Sequence, residues 1–174
     1  LMNLSQNLSI TQNVKVTHLE PHNEKISVLN DRSNIWETYD AVISTLPAPQ
    51  NLDLMKKFPI LKKTLETASY DACITLMFIF DEKPKNIPYF FEYYNQQGML
   101  SWMAAGSNLR FWTAQTKGDY SNKNINKDKI LLKDKIFQEV GKAIYQLEPT
   151  IKINFHSLHI WKYAKVTNVC SGPQ

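Results

Sequence analysis

The side chains that could carry out chemistry in this sequence are few, and their spacing restricts what they could do. The chain has four histidines and two cysteines, and no paired carboxylates, Ser-His-Asp arrangement or Cys-His spacing stands out. His156 and His159 are three residues apart in a predicted strand, where side chains at that separation point to opposite faces. They are therefore poorly placed to share a metal ion, and the sequence predicts no metal site.

The clearest sign of a binding site lies in residues 39–50, Tyr-Asp-Ala-Val-Ile-Ser-Thr-Leu-Pro-Ala-Pro-Gln. The apolar run at residues 41–43 predicts a buried strand. Pro47 and Pro49 end it, because proline cannot continue a strand ladder. In open α/β sheets, ligands bind just outside such strand ends. The spacing alone leaves the alternative of a core strand followed by a turn.

The composition is that of a packed globular protein. The 174 residues are 43% hydrophobic and include four Trp, eight Tyr and eight Phe, enough for one domain or one domain and a small partner. No apolar run approaches the roughly 20 residues of a membrane span. The formal net charge of +4 is better explained by solvated helix faces than by a nucleic-acid-binding stripe. We therefore expect no membrane and no nucleic-acid partner.

The cysteines and the chain ends carry two further expectations. Cys73 and Cys170 have neither metal-site spacing nor the density of a disulfide framework, which favours a reducing, cytoplasmic location. Both ends of the sequence look cut, since residues 1–4 begin as if within an element and residues 170–174 end without a capped helix or strand. We expect the chain to be a fragment.

The elements that would position a site begin with a β-meander. Alternating apolar residues predict a hairpin over residues 14–29 and a third strand over residues 39–46. Amphipathic helical segments follow over residues 52–65. Residues 70–80, apolar and rich in β-formers, predict a central strand buried on both faces.

The second half of the chain predicts more antiparallel strands and one long helix. Residues 89–94 and 99–105 form a predicted hairpin, and residues 110–116 a further strand. Residues 127–147 predict an amphipathic helix with Asn126 as its N-cap, and residues 151–164 a final strand. The predicted fold is α+β, with a mostly antiparallel sheet packed by the long helix. The many aromatic side chains of this sheet could face a cavity.

Several of these segments resemble one family. Residues 39–50 are similar to the pattern "fD-x-V-v-l-a-x-P-a-p-Q" of renalase-like, NAD(P)/FAD-dependent amine oxidases, and residues 70–80 to its "Y-x-x-c-x-a-l-m-l-x-f". Trp161-Lys162-Tyr163-Ala164 resembles "h-R-W-r-Y-A", with Ile160 where the family usually has arginine. The order of these segments extends the resemblance over nearly the whole chain.

The resemblance implies FAD as the cofactor and a division of the chain. Residues 1–50 would be a β-meander remnant of the FAD-binding lobe, and residues 51–174 the substrate-binding lobe. Ile10 takes the position whose backbone pairs with the adenine of FAD in such proteins. Thr45, Leu46 and Pro47, at the end of the proline-terminated strand, would also contact the cofactor. A core isoleucine is the alternative for Ile10.

The resemblance also implies a small-molecule substrate, of nicotinamide or amine type, which transfers a hydride to flavin. The candidate substrate-binding aromatics are Trp102, Trp112, Trp161 and Tyr163, with Tyr94 behind them. Arg110 and Lys162 are cations within the same strands that could stabilise reduced flavin or a phosphate-bearing substrate. The alternative is that these aromatic residues belong to the core and its rim. No residue stands out as catalytic.

Three departures from the family limit what this segment could do alone. No Gly-x-Gly-x-x-Gly follows a strand, no "G-D-W" segment is present, and residues 106–110 are shorter than the family's "S-K-P-G-R" loop and lack its lysine and proline. We therefore expect no tight FAD binding without the remaining flavin-binding part of the protein. A non-catalytic carrier of small apolar ligands and a degenerate pseudoenzyme remain alternatives.

Overall fold

The computed structural model of the protein describes residues 8–92 and 98–170. It divides the chain into an N-terminal unit, residues 1–68 with 168–174, and a central unit, residues 69–167. Each is described by itself. The assignment of residues 1–50 to a flavin lobe and 51–174 to a substrate lobe stays a prediction.

The N-terminal unit contains a three-stranded antiparallel sheet. Its strands are β1 (Val16–His22), β2 (Lys25–Asn30) and β3 (Trp36–Tyr39), in the order β1-β2-β3. The β1–β2 turn contains Asn23 at φ 54°, a left-handed conformation that asparagine tolerates better than most residues. The predicted hairpin over residues 14–29 is confirmed.

The predicted strand over residues 39–46 is wrong. β3 ends at Tyr39, and residues 40–46 form no regular element and are exposed. The side chain of Ile43 is 90% exposed. An apolar run forms a buried strand only where a partner strand and a covering layer exist, and no described residue of this unit supplies them.

Short helices follow Pro47 and continue through residues 52–65, the range predicted to be helical, and Pro49 lies within the first of them. They are α1 (Ala48–Asn51), a 3₁₀ turn (Leu54–Lys57) and α2 (Pro59–Leu65). Asn51 connects α1 to the irregular segment, because its Nδ2 donates to the Leu46 carbonyl at 2.7 Å and its Oδ1 accepts from Ser44 Oγ at 2.5 Å.

The central unit is built on a five-stranded sheet with the order β5-β6-β7-β4-β8. Its strands are β4 (Ser69–Phe80), β5 (Phe90–Glu92), β6 (Leu100–Ala105), β7 (Phe111–Thr116) and β8 (Ile153–Asn168).

The strands of this sheet run antiparallel. The β5–β6, β6–β7 and β7–β4 pairs are antiparallel. Ser69 Oγ lies 2.9 Å from Thr167 Oγ1, and the Asp81 amide donates to the Lys152 carbonyl, so β8 runs antiparallel to β4. The structure therefore confirms the predicted α+β fold and the strand at residues 70–80. That strand is buried on both faces only over residues 72–76, since Met77 is 42% exposed.

Two helices complete the central unit, α3 (Gly118–Asn124) and α4 (Lys129–Tyr145). No helix was predicted at α3, whose residues are mostly polar. The long helix is confirmed, but its N-cap is Asp128 rather than Asn126. Asp128 Oδ1 accepts from the amides of Ile130 and Leu131, both at 2.9 Å. Among the described residues, no helix has both the length and the apolar content needed to span a bilayer.

The core of the central unit lies between the sheet and α4. The helix contributes residues spaced four apart, which form one stripe along its axis: Leu132, Ile136, Val140 and Ile144. Ile130 and Leu131, near the start of the helix, lie off this stripe and are exposed. The sheet contributes alternate β4 residues together with side chains of β6 and β7, including Ile74, Leu76, Phe78, Phe80, Met103, Trp112 and Ala114.

Candidate functional site

A cavity of about 500 Å³ opens on the central unit, and we call it the aromatic pocket. It is lined by two tryptophans and a tyrosine that the sequence analysis selected, together with three charged side chains and small or polar residues of β4, β6, β7 and β8. The lining residues are Asp71, Ala72, Cys73, Ser101, Trp102, Gln115, Thr116, Lys117, Gly118, Trp161, Tyr163, Ala164 and Lys165.

The alternation of β6 shows on which side of the sheet the pocket lies. Met103 is fully buried in the core that α4 covers. Successive side chains of a strand point to opposite faces, so the adjacent Trp102 points to the face that α4 does not cover. The helix closes one face of the sheet, and the other face remains accessible to a ligand.

Each of the three aromatic rings of the pocket is packed against another ring. These contacts are worth roughly 0.5–1.5 kcal/mol each beyond area burial, and they restrict the rotamers of the lining side chains. The ring pairs, with centroid distances, are Tyr163 with Tyr70 (5.9 Å), Trp161 with His159 (4.2 Å) and Trp102 with Phe90 (6.2 Å).

A buried hydroxyl pair lies beside the pocket, which Thr116 lines. Thr116 Oγ1 and Ser121 Oγ are 2.6 Å apart, and both accept from the Ile74 amide. Ser121 Oγ also contacts the Lys117 carbonyl at 2.8 Å. This network joins β4, β7 and the first turn of α3, so it holds the wall of the pocket in place.

Cys73 lines the pocket but is a poor nucleophile. Burial raises the pKa of its thiol, an effect that the Thr75 hydroxyl and a backbone hydrogen bond only partly offset. A raised pKa keeps the thiol protonated at neutral pH, and the thiolate is the reactive form. Its burial is that of a small apolar residue within the strand.

Two of the predicted substrate-binding residues lie away from the aromatic pocket. Trp112 is 2% exposed, packs against Phe78 and Phe80, and donates from Nε1 to the Leu109 carbonyl at 2.8 Å, which is the setting of a core aromatic. Arg110 Nε donates to the Phe80 carbonyl at 3.1 Å. Arg110 precedes β7, whereas the pocket lies at the other end of that strand, roughly 15 Å away at ~3.3 Å per residue. Tyr94 lies outside the described residues.

The predicted cofactor contacts fall in the N-terminal unit and are only partly brought together. A groove of about 1020 Å³ is lined by residues of β1, β2, residues 42–46 and the following helices. Thr45 and Leu46 line this N-terminal groove, as do Lys15 and Lys56. Ile10 and Pro47 do not, and Ile10 is 57% exposed. Their roles toward a cofactor stay predictions.

No group of three or more His, Cys, Asp or Glu side chains that could hold a metal ion occurs within residues 8–92 and 98–170. His156 and His159 make separate ring contacts. His156 stacks on Phe137 of α4 at 4.2 Å, and His159 packs against Trp161. Burial, with a smaller effect from Lys133, lowers the pKa of His156, which favours its neutral form.

Comparisons with known proteins agree with this fold. No protein-family model and no curated protein matches the chain, but solved structures do. A protein described as a protoporphyrinogen oxidase from Exiguobacterium sp. 255-15 has a TM-score of 0.59 and 14% identity, with 90% of this chain and 36% of that one covered. The fold is shared.

Two further structures give the same result. A fatty acid isomerase from P. acnes that produces CLA has a TM-score of 0.63 and 13% identity, over 93% of this chain and 38% of that one. An oxidoreductase from Methanosarcina mazei has a TM-score of 0.54 and 12% identity, over 91% and 39%. The chain thus has the fold of part of these proteins, two of which are described as an oxidase or oxidoreductase. It spans less than two fifths of their length.

Several residues of the aromatic pocket were missed by the sequence analysis. The pocket is also lined by Asp71, Lys117, Gly118 and Lys165. Asn122 of α3 donates a hydrogen bond to Asp71. The only local signal was a charged residue, Asp71, at the start of an otherwise apolar strand. Its neighbours come from segments distant in sequence, so no spacing rule could have grouped them.

Proposed function

We propose that this chain is the substrate-binding portion of a renalase-like, FAD-dependent oxidoreductase, and that the aromatic pocket binds its small, planar substrate. The observation that carries the proposal is the convergence of Trp102, Trp161 and Tyr163, each packed against a second ring, on one cavity. Such a wall suits a flat ring of nicotinamide or aromatic amine type.

The shared fold supports the oxidoreductase part of this proposal. Two of the three structural neighbours are described as an oxidase or oxidoreductase, and the order of sequence segments resembles a flavin-dependent family. Identities of 12–14% carry the fold alone, so substrate and cofactor are inferred from this chain's own residues.

The N-terminal groove fits one portion of FAD. Val14, Val28 and Leu46 offer aliphatic surface for a planar ring, and Lys15 and Lys56 line the same groove and can meet a phosphate. No Gly-x-Gly-x-x-Gly turn occurs among the five glycines of the sequence, so the usual pyrophosphate cradle is absent from this chain.

The remaining flavin contacts would come from a further part of the same protein. In that setting FAD would supply the redox chemistry by accepting a hydride. This chain would bind the substrate, orient its ring and exclude water. We expect little or no turnover from the chain alone and place the complete protein in the cytoplasm.

A non-catalytic carrier of small apolar ligands is less well supported. Asp71, Lys117 and Lys165 line the aromatic pocket, and an apolar ligand there would desolvate charged groups without pairing them. A degenerate pseudoenzyme would keep the pocket and lose turnover.

Sequencing the coding DNA on both sides of this segment tests the proposal. An in-frame strand, Gly-x-Gly-x-x-Gly and helix upstream, with Gly-Asp-Trp downstream, is the expected result, followed by a flavin absorbance spectrum of the full product. A start codon directly before Leu1 and a stop codon after Gln174 would overturn the enzyme proposal.

In the full product, Trp161→Ala should raise KM for the substrate by roughly tenfold or more, since it removes a wall of the pocket. Trp36→Ala is the matched control, because Trp36 is 44% exposed on the N-terminal unit and lines neither cavity. Equal KM values in the two variants would contradict the pocket's assignment.

A further inference from the structure

The carboxylate of Asp71 is held in one orientation at the aromatic pocket. Its Oδ1 accepts from Asn122 Nδ2 at 2.7 Å. Asn122 is itself fixed, because its Oδ1 accepts from the Ala72 amide at 2.8 Å. The two hydrogen bonds of Asn122 orient its amide and leave Asp71 with a defined rotamer.

Gly118 leaves the space that this carboxylate occupies. A Cβ at position 118 would lie 2.8 Å from Asp71 Cγ and closer still to Oδ2, so any residue with a side chain would displace the carboxylate. Asp71 and Gly118 both line the pocket. Within residues 8–92 and 98–170, Oδ1 accepts the hydrogen bond to the carboxylate, and no hydrogen bond or ion pair reaches Oδ2, the oxygen nearest to Gly118.

A fixed carboxylate oxygen beside aromatic rings is an environment that favours a cation. A protonated nitrogen gains a charge-assisted hydrogen bond from the carboxylate and attraction to the electron-rich ring faces of Trp161, Trp102 and Tyr163. We propose that Asp71 is the specificity-determining residue that anchors a protonated nitrogen of the small molecule bound in the aromatic pocket. The inference rests on the proposed role of this pocket and narrows its substrate class to ammonium-bearing aromatic compounds.

Lys165 is a cation of the chain itself that could pair with Asp71 in place of a ligand's protonated nitrogen. Ser69 Oγ lies 2.9 Å from Thr167 Oγ1 across the β4–β8 pair. Asp71 comes two residues after Ser69 and Lys165 two residues before Thr167, so both side chains lie on the same face of the sheet. Lys165 is exposed and makes no ion pair with Asp71 within 4.0 Å. Lys117 lines the pocket as a second cation. An anionic ligand held by these lysines is therefore the opposite outcome.

Three matched probes decide between these outcomes: benzylammonium, neutral benzyl alcohol and anionic benzoate, each titrated into the chain by isothermal calorimetry. We expect benzylammonium to bind most tightly. Asp71→Asn should weaken it by roughly tenfold to a hundredfold, because the side chain still accepts from Asn122 but loses its charge. Asp119→Asn, an exposed carboxylate of α3 outside the pocket, is the matched control and should leave binding unchanged.

The remaining outcomes separate this inference from the proposed function. If benzylammonium binds equally well to Asp71→Asn, the role of Asp71 is overturned. The pocket's assignment would stand in that case if Trp161→Ala abolishes the binding of benzyl alcohol. Tighter binding of benzoate would also overturn it. If none of the three probes binds, both proposals fail.

A second variant keeps the test decisive should Asp71→Asn fail to fold. Lys165→Met removes the competing cation from an exposed position, so benzylammonium should bind about two- to fivefold more tightly and benzoate more weakly. Unchanged or weaker benzylammonium binding in Lys165→Met would overturn the inference.

Discussion

The two units of this chain bury apolar side chains to very different degrees. The central unit encloses a continuous core between its sheet and α4, with Ile74, Leu76, Phe80, Met103 and Ile136 all at 0% exposure. In the described part of the N-terminal unit, the buried apolar side chains are Leu19, Ala48 and Leu54, whereas Ile35, Ile43 and Ile60 are 63–90% exposed.

This difference shows where the stability of the described fold resides. A core of interdigitated side chains makes each of its residues costly to remove. The aromatic pocket opens on the face of that stable sheet which α4 leaves uncovered. The N-terminal unit presents apolar surface that its own described residues do not cover.

The largest expected effect is in the core of the central unit. Trp112→Ala should lower the free energy of unfolding by about 3–5 kcal/mol, since it leaves a cavity between Phe78 and Phe80. Urea unfolding followed by circular dichroism measures this. Trp161→Ala, whose side chain is 52% exposed, is the control and should cost far less; similar losses in the two variants would contradict the difference between core and pocket.

The buried hydroxyl pair gives the next effect. Thr116→Val should cost about 1–3 kcal/mol, because the buried Ser121 hydroxyl and the Ile74 amide each lose a partner while side-chain volume is preserved. Thr113→Val, on the other face of β7, provides the comparison in the same unfolding assay. A neutral result at position 116 would mean that the network does not hold α3 against the sheet.

The N-cap of α4 should have a smaller effect. Asp128→Ala removes an acceptor for two amides and should destabilise the central unit by about 1 kcal/mol. Asn126→Ala is the matched control, and it should leave the stability of the central unit nearly unchanged if Asp128 is the cap. The opposite order of the two thermal unfolding midpoints would restore the cap predicted from the sequence.

The smallest effect should come from the exposed run of the N-terminal unit. Ile43→Ser should change stability by no more than about 0.5 kcal/mol, as followed by the fluorescence of Trp36, the one tryptophan of that unit. Leu19→Ala, at 5% exposure, should cost about 2–5 kcal/mol in the same assay. A large loss from Ile43→Ser would show that this run is covered in the protein and would break the contrast between the units.

Much of the fold could be predicted from the sequence because its signals are local. The apolar run of β4 and the helical spacing of α4 each contain enough residues to define one element. Residues 40–46 have the same kind of apolar signal as β4, but whether such a run pairs depends on neighbouring strands that no local pattern specifies. The cap of α4 was placed two residues early, because Asn126 and Asp128 are both good capping residues.

The site was predictable only in part. The sequence does not tell which face of a strand points to the pocket, and some of the lining residues are far apart in the chain. Phe111 and Trp112 are adjacent aromatics on β7, and the sequence does not tell which of them faces α4. The structure buries Trp112 and leaves Phe111 51% exposed. Asp71 and Gly118 meet only because β4 and the start of α3 come together in the folded unit, and no spacing in the sequence indicates that contact.

The length of β8 has a consequence for how the chain behaves in solution. In the part of the sheet that the structure describes, β8 is an edge strand with Phe155, Trp161, Tyr163 and Val166 exposed. A long apolar edge is a template for pairing with another copy, and charged residues along it oppose that association. Lys162 and Lys165 supply that repulsion here. Salt screens it, so we expect the concentration at which copies self-associate to fall as ionic strength rises.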